Sequence, residues 1–226
     1  FRDTLIACSD QSKVIAYPDG DAVHIVADDD LRPVRTLTGF GSAVRSLSFN
    51  GDGSRLIVAT RDGKLHLADT ASGRLLKTLD DVVDGFRVHP AMFAREGGQF
   101  AYVSKEKSIR TRSQTDGSPK IEYTGLAFPA VSAMFAGDTK RLLLVDQTDT
   151  PWLYDTERLH EIDIPESAES RVRSQKFTRG QPIFTIESRK ANRGELISSI
   201  NGSVIHNINI EKFDDGGRIW SSESII

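Results

Sequence analysis

Five histidines, one cysteine and a scatter of aspartates are the side chains that could do chemistry in this 226-residue chain. His24, His66, His89, His160 and His206 never fall at the short strand or i, i+4 helical spacing of a metal cluster, and there is no HExxH or cysteine-rich box. Structural or surface roles are expected for all five. Cys8 has no second cysteine to pair with, so no internal disulfide can form. A reducing, cytoplasmic setting is the expectation. No Gly-x-Ser-x-Gly elbow occurs, and no serine, histidine and acid suggest a triad. The glycine-rich turns, such as Gly51-Asp52-Gly53, join strands and open no helix, so they lack the N-terminal amides that cradle phosphate. Asp28-Asp29-Asp30 reads as a solvated turn with Asx hydrogen bonding and not as a metal site. Asp69, Asp146 and Asp155 recur down the chain, which argues for turn capping, since an active site needs one constellation and not several copies. No catalytic, cofactor or metal residue is therefore assigned, and the chain is expected not to be an enzyme.

Charge excludes further classes. With 29 Lys and Arg against 32 Asp and Glu the formal charge is -3, so no global field gathers nucleic acid or anionic membrane. Residues 171–193 hold seven cations against one Glu, with Phe177 and Phe184 interleaved. That mimics a stacking platform for single strands, but both phenylalanines fall at core strand positions of the repeat described next. Nucleic acid is not favoured as a partner. No run approaches the roughly 18 apolar residues of a membrane span, and the Asn201-Gly202-Ser203 sequon reads as accidental.

The elements that would position these residues repeat. A phenylalanine closes a first strand at Phe49, Phe93, Phe135 and Phe177, spaced 44, 42 and 42 residues apart. A second marker closes the third strand at Asp28, Asp69, Gln114 and Asp155, spaced 41, 45 and 41. Asp19-Gly20 and Asp62-Gly63 sit between second and third strands, and Asp-Gly between apolar runs is a hairpin signature because the primed turns need positive φ. The strands are short and rich in branched residues, as in Leu56-Ile-Val-Ala59, and no segment carries apolar residues at helical spacing. The fold class is all-β. A unit of about 40 residues with four antiparallel strands is a propeller blade, whose apolar face only a neighbouring blade can cover. Blades are expected near 1–40, 41–84, 85–126, 127–166 and 167–208, with a partial one at 209–226.

The chain resembles the WD-repeat β-propellers. Gly41-Ser-Ala-Val-Arg-Ser-Leu-Ser-Phe-Asn-Gly-Asp-Gly-Ser-Arg-Leu56 is similar to the family's first strand and turn. Asp62-Gly-Lys-Leu-His-Leu-Ala-Asp69-Thr-Ala-Ser-Gly-Arg74 is similar to its third strand and the turn that follows. The repeats are degenerate: Ala27, Ala68 or Tyr154 stands where the signature Trp would, and no Gly-His pair precedes a blade. The commonest ring of the family resembles seven blades and needs about 280 to 300 residues at this period. The chain, which starts at Phe1 and ends at Ile226 in what reads as the second strand of a sixth blade, is expected to be part of such a ring.

The resemblance also implies a binding site. The position four residues before each marker Phe holds Arg45, His89, Val131 and Arg173, and in WD-type propellers the start of the first strand lies at the rim of one face. Arg45, His89 and Arg173 are accordingly the expected partner-binding residues, a basic rim suited to an acidic segment, since arginine pairs bidentately with carboxylates. The function expected is a non-catalytic scaffold for protein–protein interaction within a larger complex. Two alternatives stand beside it. About 40 residues around 171–193 are weakly similar to the endoplasmic-reticulum exchange-factor propellers that activate the Sar GTPase, and a propeller hydrolase or lyase could act at a channel mouth.

Overall fold

The computed structural model describes residues 6–82, 91–94, 98–124, 130–135, 140–146, 150–156, 160–162, 170–174, 183–188, 193–198, 204–212 and 218–221. They form strands joined by turns, with no helix among the described residues. The chain divides into two compact units, Phe1–Phe135 and Ala136–Ile226.

The first unit contains three four-stranded antiparallel sheets, each with its strands in chain order and no crossover. Strands β1 (Ala7–Ser9), β2 (Val14–Asp19), β3 (Ala22–Ala27) and β4 (Pro33–Leu37) make the first sheet. Strands β5 (Val44–Phe49), β6 (Arg55–Thr60), β7 (Leu65–Asp69) and β8 (Leu75–Leu79) make the second. Strands β9 (Ala91–Phe93), β10 (Gln99–Val103), β11 (Ile109–Ser113) and β12 (Pro119–Tyr123) make the third, and β13 (Ala130–Phe135) lies against β9 and β10.

Alternation along each strand sends successive side chains to opposite faces, and here both faces are used. Leu56, Val58 and Ala68 of the second sheet pack with Ala16, Val23, Ile25 and Leu37 of the first. Their neighbours Ile57, Ala59, Leu65 and Leu67 turn the other way, onto Phe93, Phe100 and Tyr102 of the third. Each sheet thus covers the face its neighbour cannot bury alone, which is the logic of a blade stack. The marker phenylalanines take part unequally. Phe93 and Phe135 are 6% and 1% exposed, while Phe49 is half-buried at the border of the first cluster; Phe177 lies outside the described residues. The outer strands β4 and β12 are exposed over four of their five residues, and each begins with proline and carries charge, which discourages pairing with another chain.

Turns hold the sheets together at their ends. Gly53 has φ +73 in the β5–β6 hairpin, and a Cβ there would lie 2.0 Å from Ser12 Oγ and 2.5 Å from Ser9 Oγ of the first sheet. Only glycine lets the two turns approach so closely.

The second unit contains β14 (Arg141–Asp146), β15 (Pro151–Asp155) and β16 (His160–Ile162), paired antiparallel in that order. It also contains a five-stranded sheet of β17 (Ser170–Ser174), β18 (Ile183–Ser188), β19 (Arg193–Ser198), β20 (Val204–Lys212) and β21 (Arg218–Ser221). Residues 209–212, expected to open a sixth repeat, continue β20, and β21 pairs with them through Asn209 to Lys212.

Candidate interaction surface

Backbone bonds hold the start of β5 to two neighbouring turns. Val44 N–H donates to Gly20 O at 2.9 Å, and Arg61 N–H donates to Ala43 O at 2.8 Å. These bonds fix the start of β5 between the β2–β3 hairpin of one sheet and the β6–β7 turn of the next. Arg45, the second residue of β5, is half-buried there. Of the other expected rim residues, His89 lies outside the described residues and Arg173 falls on β17, in the second unit. Val131 is half-buried on β13.

The third strands hold a recurring polar position that the sequence reading passed over. His24, His66 and Arg110 each face a partner on the outer strand of their own sheet: Thr36, Thr78 and Glu122. His24 Nδ1 and Thr36 Oγ1 are 3.0 Å apart, as are His66 Nδ1 and Thr78 Oγ1, while Arg110 Nε donates to Glu122 Oε1 at 3.0 Å. The signal was available, because 24, 66 and 110 keep the repeat spacing and the next step lands on Trp152. That indole donates from Nε1 to Asp146 Oδ2 at 3.2 Å. Histidines that look unrelated when sought as metal ligands are thus repeat equivalents.

His66 is the most enclosed. It is 3% exposed, its ring meets Phe40 edge-on with centroids 5.4 Å apart, and its Nε2 lies 3.4 Å from Thr60 Oγ1. Burial pushes its pKa below the ordinary value, so the neutral ring is the stable form. Asp62, in the turn just above, accepts from Lys64 and Thr60, which hold its carboxyl down at about 2.

In the third sheet the same position becomes a charged network joined to the loop after β8. Arg110 bonds Asp81, Glu106 and Glu122, and Tyr102 Oη donates to Asp81 Oδ2 at 3.1 Å. Lys105 N–H donates to Asp81 O at 2.6 Å, and Val82 bridges to Ser104. Glu122 also accepts from Ser108 Oγ at 2.5 Å, and these bonds, Ser108 first and Arg110 second, lower its pKa. Here three carboxylates converge on one guanidinium, and the arrangement ties the second sheet to the third.

The aspartates behave as turn caps. Asp30 Oδ1 accepts Arg32 N–H at 2.9 Å, and Asp69 Oδ1 accepts Ser72 N–H at 2.7 Å while Oδ2 takes Arg55 at 2.6 Å. Asp69 and Asp155 close third strands, whereas Asp146 closes the second strand β14, where its Oδ1 accepts Thr150 N–H. Among the described residues no group of three or more His, Cys, Asp or Glu is placed to hold a metal ion. What the surface offers is a set of loops fixed by backbone and side-chain bonds, with charge presented outward.

Residues 33–85 match the family model of the anaphase-promoting complex subunit 4 WD40 domain. That stretch spans β4 and the whole second sheet. The match and the repeated antiparallel sheets fit a WD40-like propeller, a type of domain that generally serves as a protein-interaction scaffold and is typically non-catalytic. No curated protein matches the chain.

Proposed function

We propose that this WD40-like chain is a non-catalytic platform on which other proteins assemble, and that it works as one domain or subunit of a larger complex. The observation that carries this reading is the match over residues 33–85, because the matching family is named for a subunit of a multi-protein complex. The use of polar side chains supports it. His66, Asp69 and Arg110 are committed to bonds that fix turns and tie sheets, leaving a rigid surface. A partner meeting a surface already ordered loses little conformational freedom on binding, so modest contacts suffice.

In this reading Arg45, with His89 and Arg173, receives an acidic segment at the rim, and the exposed, unpaired Cys8 supports a reducing, cytoplasmic setting. No observation favours the hydrolase or exchange-factor alternatives. The test is capture of the tagged full chain from cells under mild conditions, followed by mass spectrometry and reconstitution with purified candidates. Stoichiometric recovery of defined subunits, reproduced with purified components, is the expected result. A chain that elutes alone, with no subunit binding it on reconstitution, overturns the reading.

A further inference from the structure

Arg110 and Arg112 lie two residues apart on β11, and their charges are treated in opposite ways. Arg110 is met by Asp81, Glu106 and Glu122. Arg112 is held just as firmly, but by neutral groups: Nε donates to Tyr102 Oη at 3.1 Å, one terminal nitrogen donates to Gly117 O at 3.1 Å, and its Cζ stands 5.8 Å from the centre of the Tyr102 ring. A guanidinium has five N–H donors. Two are used here, and the remaining three lie on the terminal nitrogens, where a carboxylate can bind with both oxygens.

Two lysines stem from positions close to this one. Gly117, whose carbonyl holds Arg112, packs against the stem of Lys77 from the second sheet; a Cβ on Gly117 would lie 2.7 Å from Lys77 Cβ. Lys120 is the exposed second residue of β12, next to Pro119, which pairs with Arg112. Neither lysine nor Arg112 has a carboxylate partner among the described residues. The nearest turn acid, Asp116, accepts Ser118 N–H at 3.0 Å and caps its own turn. An open groove of about 280 Å3 runs here, lined by Arg110, Arg112, Pro119, Lys120, Ile121 and Glu122. That is smaller than a typical small-molecule pocket and has room for a side chain or two. Pro119 and Lys120 guard the strand edge against pairing, so the groove takes side chains and not an added strand.

We propose that this groove docks an acidic, extended segment of a protein partner, with one carboxylate on the open edge of Arg112 and its neighbours facing Lys77 and Lys120. The proposal rests on the platform reading and adds a contact on the outer edge of the third sheet, apart from the rim. Its physical basis is that the guanidinium is already positioned, so a carboxylate gains a charge-assisted pair without ordering a loose side chain.

The probe is a fluorescein-labelled peptide of alternating glutamate and alanine, titrated into the full chain at low and at physiological salt and read by anisotropy. Saturable binding that weakens with salt is expected, with a loss of about tenfold on Arg112→Gln. Because Arg112 also holds Tyr102, the double variant Lys77→Gln, Lys120→Gln is the second arm; glutamine keeps the Cβ and Cγ that pack on Gly117, so it should weaken binding about threefold with the melting temperature unchanged. Absence of saturable binding, equal affinity in the lysine double variant, or tighter binding of a uridine homopolymer or of inorganic phosphate than of the peptide would each overturn the proposal. Subunits still recovered with a chain that ignores the peptide would sink this groove and leave the platform standing. Peptide binding by a chain that recovers no subunit would sink the platform alone.

Discussion

Replacing Phe93 by alanine should cost more stability than replacing Phe49, although the two hold one place in the repeat. Repeat symmetry alone assigns them equal weight. In the structure Phe93 is 6% exposed and its ring meets Phe100 edge-on at 5.7 Å, inside the cluster between the second and third sheets. Truncation there leaves a cavity the surrounding strands cannot close, worth about 3–5 kcal/mol, of which the aromatic pair supplies about 0.5–1.5. Phe49 is half-buried at the border of the other cluster, where water fills the vacated space. Its loss removes transfer energy alone, about 1–2 kcal/mol. The difference of about 2 kcal/mol is a large part of the stability of an ordinary domain. Urea titrations of the two variants read it as a gap between midpoints at unchanged m, and at about 2–4 °C per kcal/mol the melting temperatures should differ by about 4–8 °C. Equal losses, or a larger one at Phe49, would refute the assignment of the two clusters to successive sheet interfaces.

Gly53→Ala should destabilise by about 2 kcal/mol or more in the same titration, from positive φ plus the clash with Ser9 and Ser12, whereas Gly63→Ala, at φ +79 with open space around it, should cost only the backbone strain of about 1 kcal/mol; equal costs would contradict the close approach of the first two sheets. Burial holds the His66 pKa below 6.5, so the unfolded chain takes up a proton that the folded chain refuses. Stability is full above about pH 6.5 and falls below it by at most about 1.4 kcal/mol per unit, a slope that His66→Gln should flatten between about pH 5 and 7. Asp62 contributes in the same direction, but only as pH falls from about 3.8 toward about 2. Arg45→Ala with Arg173→Ala should weaken partner binding more than tenfold in a titration with the purified partner; affinity indifferent to the pair would exclude these residues from the interface.

The sequence by itself determined the elements. Asp-Gly turns, short branched strands and a phenylalanine every 42 to 44 residues are local signals, and they specify hairpins because a turn's φ and a strand's alternation are settled within a few residues. The all-β class and the repeat were therefore legible. Partnership between elements was not. His24, His66 and Arg110 keep the period as faithfully as the phenylalanines, but neutral hydroxyls meet the first two and three carboxylates meet the third, one of them from a loop 29 residues back. Phe49 and Phe93 look alike in sequence, and only the neighbouring sheet decides which is sealed. Arg112 stands two residues from Arg110 with the same chemistry, and nothing local tells that one is neutralised and the other left open. These outcomes depend on side chains brought together from separate strands and sheets, and packing, not spacing, selects which of them meet.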